Sequence, residues 1–467
     1  MEILIVGGGY IGMYTARRLE RLLRPGEATV TVVDPRGYMT YQPFLAEAAG
    51  GSVEPRHVVA SLPRVLRHTR LLTGKIVSVD PASRQAVFAP AVGAERVLRY
   101  DVLVMAAGSV SRTLPIDGLA EYGAGFKTVG EAVHLRNHVL SQLAVAATAD
   151  DPAVRASALT FVVVGGGFAG VEALAELQGL ADEAVRFYPA LDRAELRWIL
   201  VEATGRILPE LDERLGQWTV RALRRRGVDV RLHTRLASAA DGTMRLDDGT
   251  GAGAGTLIWA AGVRPSPLGA AAGLPATPAG QILVGADLAV TGMPGIFAAG
   301  DLAAVPDLTR PGEFCAPNAQ HAVRQSKVLA RNIAAYLRGG QLKPYRHGYV
   351  GSVAGLGHHQ GVAQVYRIRL TGFAGWVAHR VYHLFWVPTL SHKARVLSDW
   401  TLALFFRRET AQLTSLEHAT DDFRDAVSEA EGAVLPGLRS RERSGAATRE
   451  GSTAKRPPAS EQIMASR

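Results

Sequence analysis

Two glycine turns of the same design, one at the N-terminus and one near the middle, constrain this chain more than any other feature. The first is Glu2–Gly12, EILIVGGGYIG; the second is Thr160–Glu172, TFVVVGGGFAGVE. In each, an apolar β-prone run meets a G-x-G-x-x-G turn that opens a stretch with helical spacing, which is the order a bound dinucleotide requires. Gly7 and Gly165 let the chain turn, Gly9 and Gly167 let backbone approach a pyrophosphate, and Gly12 and Gly170 let helix pack close to strand. The free N–H groups and positive dipole end of each helix then face the phosphates. One such run could equally be a tight turn without a ligand. Two, each followed by an acid at a strand end, point to paired nucleotide sites.

The acids are Asp34, closing the strand Ala28–Val33, and Glu202, closing Leu196–Val201. Each stands where a carboxylate accepts the ribose hydroxyls of a dinucleotide. The interval from Gly170 to Glu202 exceeds the usual ~20 residues, which implies a longer helix and loop through Ala181–Glu195. An acid at Glu202 repels a 2′-phosphate and favours NADH over NADPH, an argument that the nearby Arg206 partly offsets.

Further along, Pro35–Gly51 is too apolar for a solvated loop, and either a flavin ring or the core could cover it. Leu71–Val79 and Arg84–Phe88 alternate like a strand pair, and Val97–Gly108 reads as one buried strand ending in small residues. Gly130–Ala149 has helical spacing, and Arg231–Asp248 reads as short strands with an Asp-Asp-Gly turn. Thr256–Pro265 repeats the strand-then-small pattern, as an internal duplication would. Gly295–Asp301 is a strand ending in Gly-Asp, suited to a cofactor ribityl or phosphate group or to an ordinary helix cap. It leads to a long amphipathic helix within Cys315–Leu337, beginning near Pro317.

The expected fold class is α/β, with two Rossmann-type dinucleotide-binding domains. The first is discontinuous, 1–115 and 270–345, with the second, 116–269, inserted. A C-terminal amphipathic-helix region, 346–424, and a disordered tail, 425–467, follow. With 467 residues the chain has room for two or three cores. It shows no signal peptide and no apolar run long enough to span a bilayer. Its single cysteine, Cys315, excludes an internal disulfide and suits a reducing cytoplasm. Of the net charge of +9, the 439–467 tail holds seven Lys/Arg against three Glu, 7 − 3 = +4, leaving +5 elsewhere. No basic stripe interleaved with aromatics stands out, so nucleic acid is not expected, and the excess fits an anionic cytoplasmic membrane surface better. No metal site is expected.

In combination these motifs resemble the pyridine nucleotide-disulfide-reductase type of flavoprotein. Within that group they are similar to type II NADH:quinone oxidoreductases, the single-subunit, non-pumping NADH dehydrogenases. The resemblance covers roughly 2–416. It rests on both glycine turns, Asp34, Tyr41-Gln42-Pro43-Phe44-Leu45, Ala106-Ala107-Gly108, the run LVEATGRILPELD at Leu200–Asp212, Ala299-Gly300-Asp301 and Pro317-Asn318-Ala319-Gln320. It implies FAD on the first unit, held by Gly7, Gly9, Gly12, Asp34, Ala107, Gly108, Gly300 and Asp301, with Gln42 and Ala319 also among the cofactor-binding residues. It implies NADH on the second, held by Gly165, Gly167, Gly170, Glu202 and Gly262. Glu172 matches an acid placed between nicotinamide and flavin with a role in proton delivery; its alternative is a first-turn acid favoured by the helix dipole.

Gln320 matches the first glutamine of the family's quinone motif. The second is absent: Arg324 stands there, and Gln325, one residue on, is rotated by about 100°. A lone cysteine rules out dithiol chemistry and disfavours sulfide:quinone or disulfide reductase activity.

Trp376–Arg408 is dense in aromatics, yet contains five Lys/Arg, three His and Pro388, which splits it into two amphipathic pieces. Neither can span, and each could lie in the headgroup plane; a helical hairpin packed on the protein or in a homodimer seam is the other reading. The implied activity is hydride transfer from NADH to FAD, then two electrons to a membrane quinone, without proton pumping. The implied location is cytoplasmic, peripheral on the inner face of the cell membrane. The rivals are a soluble NADH-dependent reductase of a small iron–sulfur protein and a non-catalytic flavin/NADH redox sensor.

Overall fold

The computed structural model describes residues 1–348, 350–413, 423–424 and 426–428. The expected disorder of 425–467 lies outside the described residues, apart from 426–428. Met1–Gln412 forms one compact unit.

Its frame is a pair of sheets built to the same plan. Among the described residues the first has seven strands, ordered Ile296–Ala298, Val102–Met105, Glu2–Val6, Thr29–Asp34, Arg70–Asp80, Gln85–Pro90 and Arg96–Arg99. The first five pair in parallel and the last two return antiparallel. The second sheet has five parallel strands, ordered Gly123–Gly125, Thr256–Trp259, Thr160–Val164, Arg197–Val201 and Val228–Arg231. In both, the strand feeding the glycine turn lies between the strand that ends in an acid and the strand that ends in small residues. Parallel strands covered on both faces need continuous apolar side chains, and Ile3–Val6 and Phe161–Val164 are buried throughout. One strand of the first sheet, Ile296–Ala298, follows the whole second sheet in sequence, so the second unit is an insertion.

Helix α1, Tyr10–Leu22, follows the first turn and helix α2, Phe168–Ala184, the second. Helix α3, Ala319–Leu337, packs along α1. Its first residue is Ala319 rather than Pro317 because Asn318 caps it, accepting from the His321 N–H at 2.9 Å. A three-stranded antiparallel sheet, Gly351–Gly355, Gly361–Val365 and Ile368–Thr371, leads into α4, Gly372–Trp386, and α5, Leu390–Phe405. The break between them falls at Pro388, as the sequence requires.

Val97–Gly108 is not one strand. Arg96–Arg99 is an exposed antiparallel edge, and only Val102–Met105 enters the buried parallel centre. Asp101 fixes the change of direction: its Oδ2 accepts from Glu2 N at 2.7 Å, and its N–H donates to Glu2 O at 2.8 Å. Pro35–Gly51 divides its work. Tyr41, Phe44, Leu45, Ala46, Ala48 and Ala49 join the core beneath α2, α4 and α5, whereas Gln42 faces a cavity described below.

The α4–α5 hairpin is two-faced. His379, His383, Val396 and Trp400 are buried against the protein, while Phe385, Leu390 and Phe405 are 70%, 83% and 77% exposed. No helix among the described residues is long and apolar enough to cross a membrane.

A Cβ on Gly12 would lie 1.7 Å from Gly7 O, while one on Gly9 would meet nothing within 4 Å. Gly12→Ala is therefore expected to lower stability by about 1–3 kcal/mol, and Gly9→Ala to leave it unchanged, as read by urea denaturation. Equal loss in both variants would contradict this packing.

A candidate flavin and nicotinamide site

The two glycine turns agree atom for atom. Gly7 (φ +107°) donates its N–H to Val33 O at 2.8 Å, and Gly165 (φ +117°) donates to Val201 O at 2.9 Å. A Cβ on either would approach the neighbouring strand's carbonyl, Ala106 O or Ala260 O, to 2.4 Å. Asp34 accepts from the N–H groups of Gly8 and Arg36 at 2.8 and 2.9 Å. Glu202 accepts from those of Gly166 and Thr204, both at 2.7 Å. Each acid is thus locked to the middle glycine of its turn, and a carboxylate still has lone pairs for a ribose diol.

These turns fit the phosphate groups of a dinucleotide. A Cβ on Gly9, Gly167, Gly108 or Gly262 would project into open space, so there is room for a ligand against the backbone. Gly9 and Gly167 are the caps of α1 and α2, neither helix end has a capping side chain, and neither has an acid in its first turn. Their first N–H groups remain available to an anion.

Three adjoining cavities run from the first turn, and Tyr10 and Gln42 line all of them. The first, about 390 Å³, is bordered by Gly7, Gly9, Asp34, Ala107, Gly108, Gly300 and Asp301. A middle one, about 230 Å³, adds Glu172, Gly262 and Ala319. The last, about 400 Å³, lies between α2, α3 and α4 and is bordered by Gly167, Glu172, Gln320 and Arg324. Gly12 and Gly170 act as packing residues under their turns, and Gly165 and Glu202 lie outside these three cavities on the second turn. Gly300 has φ +74°, and Asp301 Oδ2 accepts from Ser109 Oγ at 2.6 Å. Ser109 in turn accepts from Lys127 Nζ at 2.9 Å, and burial lowers the Lys127 pKa against the pull of Asp301.

Glu172 is not in the first turn of its helix, so the dipole does not explain it. Its Oε1 accepts from Gly355 N at 2.8 Å and lies 3.4 Å from His379 Nε2. His379, only 2% exposed, has its Nδ1 3.9 Å from Glu47 Oε1, and Glu47 Oε2 accepts from Trp400 Nε1 at 2.7 Å. Burial pulls the His379 pKa down, yet Glu172 and Glu47 outweigh it and hold the imidazole above its ordinary 6.5. Burial likewise pushes Glu47 up, against Arg380 and His379. Sequence reasoning missed this chain of Glu172, His379 and Glu47. The signal was there: a lone acid inside Leu45–Ala49, and two histidines four apart, His379 and His383, on an apolar helix.

At the far end, Gln320 Nε2 donates to Gly351 O at 2.7 Å. Arg324 borders the same cavity, with Nη1 3.4 Å from Gln320 Oε1 and 3.0 Å from His347 Nδ1. Gln325 points elsewhere: it is 1% exposed, and its Oε1 accepts from Gly300 N at 2.8 Å. The one-residue rotation thus makes Gln325 a support for the Gly300 turn.

Residues 1–326 match the family model of pyridine nucleotide-disulphide oxidoreductases. The chain belongs to that family. Among its relatives is the type II NADH:quinone oxidoreductase Ndh of Mycobacterium tuberculosis, 29% identical over 433 residues, covering 88% of this chain and 90% of that one. The type II NADH:quinone oxidoreductase of Staphylococcus aureus is 28% identical, covering 79% of this chain and 91% of that one. The fold also matches the structure of NDH2 from Plasmodium falciparum in complex with NADH, with a TM-score of 0.81 at 19% identity, over 88% of this chain and 99% of that one. This member of the family has no disulphide: Cys315 is its one cysteine, and burial raises the thiol pKa to about 11.

His379 and Glu47 both hold protons more tightly than their ordinary values, so at these two sites the folded state binds protons that the unfolded chain releases. The contribution of His379 is therefore complete below pH 6.5 and fades as pH rises through the folded value. In urea denaturation, the stability gap between the native chain and His379→Gln is expected to shrink from mildly acidic to alkaline pH. A gap that widens would reverse the assignment.

Proposed function

We propose that this chain is a non-pumping NADH:quinone oxidoreductase, with FAD on the Asp34 turn and NADH on the Glu202 turn. The observation that carries this reading is the trough that Tyr10 and Gln42 line from end to end, from Asp34 past Glu172 and Gly262 to Gln320. We assign 1–115 with 270–345 to FAD, 116–269 to NADH, and 346–424 to association with a membrane or a second copy.

When bound, FAD accepts a hydride and gives up two electrons, which is chemistry the side chains lack. The overall balance is NADH, a proton and quinone giving NAD⁺ and quinol. The chain's part is placement and proton supply. Gly9, Gly167 and the ends of α1 and α2 hold phosphates; Asp34 and Glu202 fix riboses; Gly108, Gly262 and Ala319 let rings lie against backbone. His379, held above its ordinary value by Glu172 and Glu47, keeps a proton beside the cavity wall that Glu172 forms. Gln320, held by Gly351 O, presents its amide to a quinone.

The exposed apolar face of α4 and α5, with Phe385, Leu390 and Phe405, is the side we assign to the inner face of the cell membrane. A homodimer seam is the alternative occupant of that face, and light scattering with and without vesicles separates the two.

In stopped-flow absorbance, NADH is expected to bleach the visible bands and added quinone to restore them. Bleaching without quinone-driven recovery would overturn the reading in favour of a sensor, and recovery only with a small iron–sulfur protein would favour the soluble reductase. Glu202→Ala is expected to raise the KM for NADH about tenfold or more with flavin retained, given the value of a charge-assisted hydrogen bond. Gln320→Ala is expected to slow reoxidation about tenfold and spare reduction; slowed reduction instead would put Gln320 on the wrong side of the ring.

A further inference from the structure

Arg380 stands on α4 between two tryptophans, its guanidinium carbon 4.3 Å from the Trp376 ring centroid and 4.6 Å from that of Trp400. Its Nε is buried without a hydrogen-bond partner, and among the described residues no carboxylate forms an ion pair with it. The carboxyls that act on it, Glu47 and Glu176, do so through space, and both have other partners. Glu47 accepts from Trp400, and Glu176 is paired with Arg408 at 2.8 Å and with Ser52 at 3.0 Å. A guanidinium has five N–H donors in a planar fork, and leaving it partly buried and unpaired is costly.

The group borders a cavity of about 400 Å³ separate from the trough, with Glu176, Glu183, His359 and Arg408 among its other walls. Leu404, Phe405 and Phe406 form one rim of that cavity and are largely exposed. On α4 itself, Phe373, Val377 and Val381 are also exposed. A forked cation clamped between aromatic rings, recessed behind an apolar rim, matches one ligand chemistry: a phosphate oxyanion attached to hydrocarbon. The rings keep bulk water from the cation, and the rim accepts acyl chain.

We propose that Arg380, clamped by Trp376 and Trp400, is a binding site for the phosphate of an anionic phospholipid. This rests on reading the α4–α5 face as the membrane side. The site would choose lipid class as well as add affinity, because a surface charge attracts any anion whereas a recessed fork requires the head group to enter.

The test is co-sedimentation of the full chain with vesicles of phosphatidylcholine, with and without phosphatidylglycerol. The native chain is expected to bind phosphatidylglycerol vesicles more tightly, and Arg380→Gln to lose about fivefold on them, the worth of one cation at such a surface, and nothing on phosphatidylcholine alone. Arg380→Lys, which keeps the charge without the fork, is expected to fall between. NADH-dependent reduction of a water-soluble quinone is expected to be unchanged in both variants.

Should the substitutions unfold the protein, competition on the native chain decides the matter. Short-chain phosphatidylglycerol is expected to displace it from vesicles at concentrations where inorganic phosphate does not. Equal displacement by inorganic phosphate would make this a free-anion site and overturn the lipid assignment. Equal binding to both vesicle types by native and Arg380→Gln protein would also overturn it while leaving membrane association intact. No binding to any vesicle would remove the membrane reading itself, and this inference with it.

Discussion

The structure depends on the approach of one backbone to another at two points, Gly7 over Ala106 and Gly165 over Ala260. At each, a positive φ closed to most side chains lets the chain leave the strand, turn under the neighbouring carbonyl and start a helix with its N–H groups unclaimed. The acid at the end of the next strand then accepts from the middle glycine of the turn, Asp34 from Gly8 and Glu202 from Gly166. The same carboxylate that would recognise a ribose therefore also holds the phosphate loop in shape. Binding and folding are coupled at these positions, which is why the two units keep one geometry despite differing in the residues around it.

Because the strand Ile296–Ala298 returns to the first sheet only after the second is complete, the two turns are tied by chain connectivity to a common trough. Ser109–Ser111 pairs antiparallel with Val263–Pro265 just beyond Gly108 and Gly262, lacing the small-residue strand ends of the two units together. A duplicated unit thus lines an asymmetric trough, with Gly7, Gly9 and Asp34 of the first turn bordering it and Gly167 of the second. The third wall comes from α3 and α4, and here the chain departs from simple repetition. Gln320 and Arg324 face the cavity, Gln325 turns inward to Gly300, and His379 bridges Glu172 to Glu47.

What could be read beforehand was whatever local sequence determines. The glycine turns, both acids, the hairpin break at Pro388 and the failure of Gln325 to take the missing glutamine's place follow from period, φ and one-residue geometry. Val97–Gly108 was misread as a single strand because its apolar content is continuous, and only the clamp between Asp101 and Glu2, distant in sequence, divides it. The partners within the Glu172–His379–Glu47 chain and the Trp376–Arg380–Trp400 clamp could not be assigned for the same reason. Each joins residues from separate elements, and no spacing rule relates Glu47 to His379 or Trp400 to Glu47. The fold was legible from its repeats; the chemistry of the third wall was not, because it is made by long-range packing.

The central claim is that one of two like-shaped turns keeps a flavin while the other admits a nicotinamide. The most direct measurement is the visible spectrum of the purified chain, with the bound cofactor released by denaturation and quantified against protein. The account predicts one FAD per chain and flavin bands that persist through gel filtration. A folded protein that is colourless and takes up no FAD on reconstitution would contradict it.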